Sequence, residues 1–341
     1  MKDRKHYSLL RHNTFGIDAR CDRFLEYASA DEAVEIVRSL KDADRPLLLL
    51  GGGSNLLLTG DYHGTVITPE NRFEVVESEG AGNGDSVYLH CWAGTTFDEV
   101  VAYAVKQGCY GMENLSLIPG QVGASAIQNI GAYGVEAKDF IDEVRAIEIA
   151  TGNLVVFGND DCEYGYRQSK FKHAWKDRFL MLQVTYKLSR TFVPKLDYGN
   201  IRMKLEEKGI ERPTAQQLRD VIIEIRREKL PDPEILGNAG SFFMNPVVSR
   251  RKYEKLAAEY PGMPHYTIDG EHEKIPAGWM IEQCGWKGRA LGKAGVHSRQ
   301  ALILVNLGGA TGTDILDLCE AVRKDVKHKF DIEIYPEVNI R

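Results

Sequence analysis

The sequence predicts an α+β protein of at least two domains, and three observations carry that reading. Strand-like and helix-like stretches alternate along the whole chain. A break at Lys229-Leu230-Pro231-Asp232-Pro233 ends a helical pattern and marks a domain junction. The length, 341 residues, suffices for two or three cores.

The elements follow in order. Residues 30–40 place Ala33, Ile36, Val37 and Leu40 at helical spacing, with Asp31 expected as the cap. Pro46 opens Leu47-Leu48-Leu49-Leu50, a buried-strand pattern that runs into Gly51-Gly52-Gly53. Residues 65–68, 73–77 and 87–92 read as strands, separated by turn signals such as 80–84. An amphipathic helix is expected over 96–107, capped at Thr95 or Thr96. Residues 144–149 and 154–157 make a hairpin about Thr151-Gly152-Asn153. A further strand covers 179–188, and a helix covers 218–227. The last third holds a helix near 277–284 and a strand near 302–305. A long helix follows Thr311, with Ile315, Leu318, Val322, Val326 and Phe330 on one stripe. Thr311-Gly312-Thr313-Asp314 is a capping-box signal for its start.

Bulk properties narrow the function. The formal net charge of −6 argues against a nucleic-acid binder, although an acidic protein can still carry a local pocket for an anion. Met1-Lys2-Asp3-Arg4-Lys5-His6 has no apolar stretch behind it, so a signal peptide is not expected. The apolar runs 47–50 and 301–305 are too short to span a bilayer. The six cysteines form no C-x-x-C, which leaves neither a zinc ribbon nor a thioredoxin motif. Reduced, mostly buried thiols in a cytoplasmic protein are expected, with no metal and no membrane or nucleic-acid partner.

Two glycine-rich segments carry the chemistry. A strand that empties into Gly51-Gly52-Gly53-Ser54-Asn55 leaves successive N–H groups pointing at one place, a nest suited to a phosphate. It is neither a Walker A motif nor a G-x-G-x-x-G fingerprint, and its plainer reading is a tight surface turn. The second segment is Ile118-Pro119-Gly120-Gln121-Val122-Gly123-Ala124-Ser125-Ala126-Ile127-Gln128-Asn129-Ile130-Gly131-Ala132-Tyr133-Gly134. A flat ligand can lie on so little side-chain bulk, with Ser125, Gln128 and Asn129 expected to bond its edges. A helix starting near Val122 can point its N-terminus at a pyrophosphate. Its plainer reading is a packing loop; together, two such loops suit a dinucleotide.

These two segments resemble the FAD loops of the UDP-N-acetylenolpyruvoylglucosamine reductase (MurB) family. The resemblance continues through Tyr166-Arg167-Gln168-Ser169-Lys170-Phe171, Lys229-Leu230-Pro231-Asp232-Pro233 and Gly237-Asn238-Ala239-Gly240-Ser241-Phe242-Phe243-Met244-Asn245-Pro246. It closes with Ala277-Gly278-Trp279-Met280-Ile281-Glu282, His297-Ser298-Arg299-Gln300-Ala301-Leu302 and Pro336-Glu337-Val338. Asp197-Tyr198-Gly199 resembles the tyrosine loop of the family's longer branch. The implied fold is an FAD-binding domain of the vanillyl-alcohol oxidase (PCMH) type in two subdomains, plus a C-terminal α/β substrate domain. The implied boundaries are 1–70 and 71–213 for the subdomains and 214–341 for the substrate domain, with the last strand packing back on the FAD domain.

The resemblance implies NADPH-driven reduction of UDP-N-acetylglucosamine enolpyruvate through FAD, with a UDP-sugar as the partner and a monomer as the working form. NADPH rests on the resemblance alone, because no 2′-phosphate pocket is legible. Implied cofactor contacts are Gly51, Gly52, Gly53, Ser54 and Asn55 in one loop, and Pro119, Gly120, Gly123, Ala124, Ser125, Gln128, Asn129, Gly131, Ala132, Tyr133 and Gly134 in the other. Arg167 fits the cation that negative charge on an enol requires. Ser241 resembles the family's proton donor and Glu337 its catalytic glutamate. Tyr198, Lys229, Asn245 and Gln300 resemble substrate contacts, with Arg226 one helical turn before Lys229. Met244 stands where relatives often carry lysine. On the glycine loops alone, a flavin oxidase of the same fold or a non-catalytic nucleotide-binding protein fits as well. The order of Lys229, Ser241 and Glu337 in the last third argues against the oxidase, and intact Arg167, Ser241 and Glu337 argue against the non-catalytic reading.

Overall fold

The structure, a computed structural model, describes residues 1–80 and 84–341. Part of the turn expected over 80–84, residues 81–83, lies outside that description. The chain forms two units, each discontinuous in sequence. The first comprises Met1–Tyr7, Cys21–Gly52 and His63–Glu228; the second comprises Ser8–Arg20, Gly53–Tyr62 and Lys229–Arg341.

Two larger sheets build the first unit, beside the two-stranded pair Gly131–Ala132 and Val135–Glu136. One has the strand order Lys2–Ser8, Arg20–Tyr27, Tyr62–Pro69, Leu47–Leu49, and the last two run parallel with Leu47 opposite Thr65. The other is antiparallel, in the order Leu154–Gly158, Ile141–Glu148, Phe179–Ser189, Ser86–Trp92, Val75–Glu79. Its side chains alternate between faces, and a register shift opposite Arg145 and Ala146, where Leu182 is skipped in the pairing, moves the alternation by one residue. Met181, Val184 and Tyr186 enter one core with Val100 and Val101 of the helix Phe97–Lys106, while Leu180 and Leu182 enter another. That second core also holds Leu25 and Ile67 of the first sheet and Ile36 of the helix Ala30–Ser39, so it binds the two sheets together.

Several local expectations need correction. The cap of Ala30–Ser39 is Ser29, whose side chain accepts from the N–H of Glu32; Asp31 lies inside the first turn. Of the two caps expected for Phe97–Lys106, Thr96 takes the position, though its side chain makes no cap bond, while the Thr95 hydroxyl donates to Arg72 O and accepts from Glu74 N. The expected strand 73–77 is shifted to Val75–Glu79. The helix expected over 218–227 runs Ala215–Lys229, so Lys229 is its last residue and the break follows it. The strand near 302–305 is Leu304–Asn306. All six cysteines are free thiols, and five of them are buried. No helix among the described residues is long and apolar enough to cross a membrane.

The second unit holds two small three-stranded antiparallel sheets, and a short parallel pair in which Asn339–Ile340 lies beside Leu56–Leu57. Its longest helix, Gly312–Phe330, buries the whole expected stripe, from Ile315 to Phe330. The Thr311 side chain accepts from Asp314 N and the Asp314 carboxylate accepts from Thr311 N, completing the capping box. At Gly312 the helix passes so close to the chain at Leu58 that an added Cβ would sit 1.8 Å from Leu58 O. Gly312→Ala is therefore expected to destabilise the protein by about 1–3 kcal/mol, the usual range for overpacking. Urea unfolding should show a lower midpoint at unchanged slope; an unshifted midpoint would mean that this approach is not a packing constraint.

Candidate active site

The first glycine loop follows from the parallel strand Leu47–Leu49, which delivers Gly51 and Gly52 beyond its end. The second follows from the short helix Val122–Gln128. In the first unit these segments, some seventy residues apart in sequence, meet. A Cβ on Gly51 would lie 3.4 Å from both Ala124 Cβ and Gln121 Oε1; one on Gly52 would lie 3.3 Å from Gly120 Cα. Glycine keeps this surface free of side-chain bulk. In the second unit, Gly53 has φ +65° and packs against the backbone of His12 and Asn13, while Asn55 Nδ2 donates to Glu337 O at 3.4 Å.

The segment after the helix is shaped by residues in left-handed conformations. Asn129, at φ 44°, ends the helix, and its amide is fully used: Nδ2 donates to Gly165 O and Glu136, and Oδ1 accepts from Lys138 N. Ser125 donates to Val122 O at 2.7 Å and pairs with the Tyr186 hydroxyl at 2.6 Å, completely buried. The expectation that the Ser125 and Asn129 side chains bond a ligand's edges is thus corrected. Both hold the loop from inside, which leaves glycine surface, backbone and the Gln121 side chain for a ligand. Tyr133 and Gly134, both with positive φ, form the two-residue turn joining Gly131–Ala132 to Val135–Glu136.

Arg167 reaches this turn from a second tight bend. Gly165 and Gln168 exchange two backbone hydrogen bonds of 3.0 Å, placing Tyr166 and Arg167 at the tip, with Arg167 at φ 56°. A non-glycine residue held there costs roughly 1–3 kcal/mol, which surrounding contacts must offset. Here Nη2 donates to Gly131 O at 2.5 Å, Nη1 donates to Asn129 O at 3.4 Å, and the guanidinium lies 5.2 Å from the Tyr166 ring centre. A side chain on Gly131 would sit 3.0 Å from Arg167 Nη1.

The tyrosine loop lies on the same turn. The Tyr198 and Tyr133 rings meet edge-on at 6.3 Å, and Gly134 packs against Tyr198. Buried Asn114, which the motif reading passed over, fastens both segments: its Nδ2 donates to Tyr133 O and to Lys195 O, each at 3.0 Å. Arg226 lies nearby with Nε buried and unpaired; burial depresses its guanidinium, and the Arg167 charge adds to that. Lys229, by contrast, is exposed.

In the second unit, Ser241 is exposed on the Gly240-Ser241-Phe242 turn. This turn is bonded to the segment bearing Glu337, whose N–H donates to Phe242 O at 2.8 Å. Asn245 and Gln300 flank the first turn of Ala277–Gln283: Asn245 Oδ1 accepts from Ala277 N, and Gln300 Oε1 stands where a side chain on Gly278 would point, at 3.2 Å. Met244 is exposed, and its N–H donates to Tyr335 O. His297 is buried with Nδ1 unpaired, and burial together with Arg299 holds it neutral-favouring, below its ordinary value. Among the described residues no group of acidic, histidine or cysteine side chains is arranged to hold a metal.

The converging glycine surface places the chain in the class of FAD-binding α+β proteins, and a family model described as FAD binding domain matches residues 21–158. A second, UDP-N-acetylenolpyruvoylglucosamine reductase, C-terminal domain, matches residues 232–341. The UDP-N-acetylenolpyruvoylglucosamine reductase of Bacteroides fragilis (strain YCH46) is 52% identical over 334 residues, 98% of each chain. That of Pseudomonas aeruginosa is 45% identical over 337 residues, again 98% of each. The chain belongs to the UDP-N-acetylenolpyruvoylglucosamine reductase family, as its motifs lead one to expect. In fold it is similar to the crystal structure of the Thermus caldophilus member, with a TM-score of 0.67 at 22% identity over 99% of this chain and 98% of that one.

Glu113, next to Asn114, gives the site's support a pH signature. It is buried, and desolvation raises its carboxyl, although Gly111 N donates to it and Lys195 is near. The folded state therefore keeps a proton that the unfolded state releases, and stability falls as pH rises from the ordinary carboxylate value through the raised one. Glu113→Gln, which keeps an acceptor for Gly111, should be more stable than the parent at pH above neutral in urea melts. The gap should close near about pH 4; a gap that widens on acidification would reverse the assignment.

Proposed function

We propose that this chain reduces UDP-N-acetylglucosamine enolpyruvate to UDP-N-acetylmuramate, a step of peptidoglycan precursor synthesis, using FAD and NADPH. The carrying observation is the match across 98% of this chain and 98% of a relative named for that reductase. The residues fit the cofactor: the Gly51-Gly52 surface lies open against Gly120 and Ala124, and a buried amide oxygen of Gln121 faces it without a donor. Bound there, FAD supplies the two-electron carrier between NADPH and the enolpyruvyl double bond.

The chain's own groups do the rest. Pyrophosphate oxygens take backbone N–H groups from the first loop. Arg167, fixed by the Asn129 and Gly131 carbonyls, presents a permanent cation to the negative charge that grows on the enolpyruvyl carboxylate. Ser241 Oγ gives its proton to the carbon beside the one that receives hydride, and solvent restores the hydroxyl. Glu337, on the segment bonded to the serine's turn, sets the charge around that transfer. Tyr198, Lys229, Asn245 and Gln300 hold the diphosphate-linked sugar. The protein works as a cytoplasmic monomer, without nucleic-acid or membrane partners.

Ser241→Ala separates the half-reactions. NADPH should bleach its flavin as in the parent, while reoxidation by the enolpyruvyl substrate should slow by about 10²-fold or more, the usual contribution of a positioned acid. Unimpaired turnover would remove Ser241 as donor.

A further inference from the structure

Gln121 stands at the start of the helix Val122–Gln128, where a side chain ordinarily turns back to cap the first turn. This one makes no cap bond. Its backbone is held by neighbours (Ser125 N donates to Gln121 O, and Val122 N donates to Thr95 O), so the side chain is not drawn away by a loose main chain. The residue is 94% buried by exposure of 6%, and Oε1 has no donor. That oxygen stands 3.4 Å from the Cβ position of Gly51, and the residue helps line a cleft within the first unit. The cleft opens to solvent.

The other lining side chains are apolar, including Leu50, Ile67 and Leu180. Of the lining side chains only Tyr27 and Gln121 carry nitrogen or oxygen, and the Tyr27 hydroxyl donates to Met181 O at 2.7 Å. A ligand in this cleft must be flat and apolar over most of its surface, and it must bring a hydrogen-bond donor to one point. An acceptor left buried without a donor costs free energy that such a ligand recovers.

The parts of FAD differ in this respect. The pyrophosphate carries only acceptors. The isoalloxazine ring's pyrimidine edge places two carbonyls around its N–H and needs donors from the protein. The adenine ring is flat, and its exocyclic amine is a donor. Resting on the FAD reading above, we propose that this cleft holds the adenine ring and that Gln121 Oε1 accepts from its 6-amino group. Gln121 thereby selects the nucleotide end of the cofactor, while the adjoining glycine loop takes the phosphates.

The test uses the full chain freed of flavin, with FAD and an FAD analogue whose purine lacks the 6-amino group, each titrated by quenching of flavin fluorescence. The parent should bind FAD about tenfold more tightly than the analogue, the difference expected for one buried hydrogen bond. Gln121→Leu should bind both alike. Parent affinities for the two within twofold, or a Gln121→Leu variant that keeps the preference, would overturn the assignment. The parent measurement stands without the variant, should Gln121→Leu fail to fold. A parent chain that binds neither dinucleotide would overturn the FAD reading itself, a result distinct from equal binding of both.

Discussion

Everything proposed for this protein depends on one close approach: Gly51 and Gly52, without side chains of their own, lying against Gly120, Ala124 and the Gln121 side chain. A Cβ at Gly52 would already be 3.3 Å from Gly120 Cα, so branched side chains at these positions would occupy the space a cofactor needs. The rest of the first unit makes that meeting possible. The parallel strand pair aims one loop, and the antiparallel sheet with its helix aims the other. The core shared by Leu25, Ile36, Ile67, Leu180 and Leu182 keeps the two in register.

A second layer of constraint holds the reactive side chains. Arg167 is bent into a left-handed conformation and bonded to the backbone of the loop it serves, so its charge is positioned by the same segment that would face the cofactor. Asn114 ties that segment to the tyrosine loop through one amide. In the second unit, a backbone bond joins the Ser241 turn to the Glu337 segment. Electrostatic help in catalysis is largest when the groups are fixed beforehand, and here main-chain partners do the fixing.

Much of this was legible in the sequence, for identifiable reasons. The α+β class, the stripe from Ile315 to Phe330 and the capping box at Thr311 are local periodicities, and they read directly. The glycine loops were visible because glycine clusters rarely serve anything but backbone geometry or close approach. Other features carried no pattern. Lys2–Ser8 is a largely exposed strand of polar residues, and Arg250–Glu259 is a helix that buries only Leu256, so neither shows a hydrophobic period. Ser29 and Asp31 are both good caps, and the choice between them depends on where the backbone turns. The inward roles of Ser125 and Asn129 depend on Tyr186, Gly165 and Lys138, which lie apart from the motif. Gln121 was within the quoted motif, yet an unpaired oxygen is a property of packing and leaves no mark on the sequence.

The most direct measurement is an anaerobic cycle on the purified full chain. Reduce the protein-bound flavin with NADPH, add UDP-N-acetylglucosamine enolpyruvate, and follow the flavin absorbance. Prompt recovery of the oxidised spectrum without oxygen, with UDP-N-acetylmuramate as product, is the expected result. A flavin that bleaches with NADPH and recovers only when oxygen is admitted would contradict the reductase assignment and point to an oxidase built on the same FAD fold.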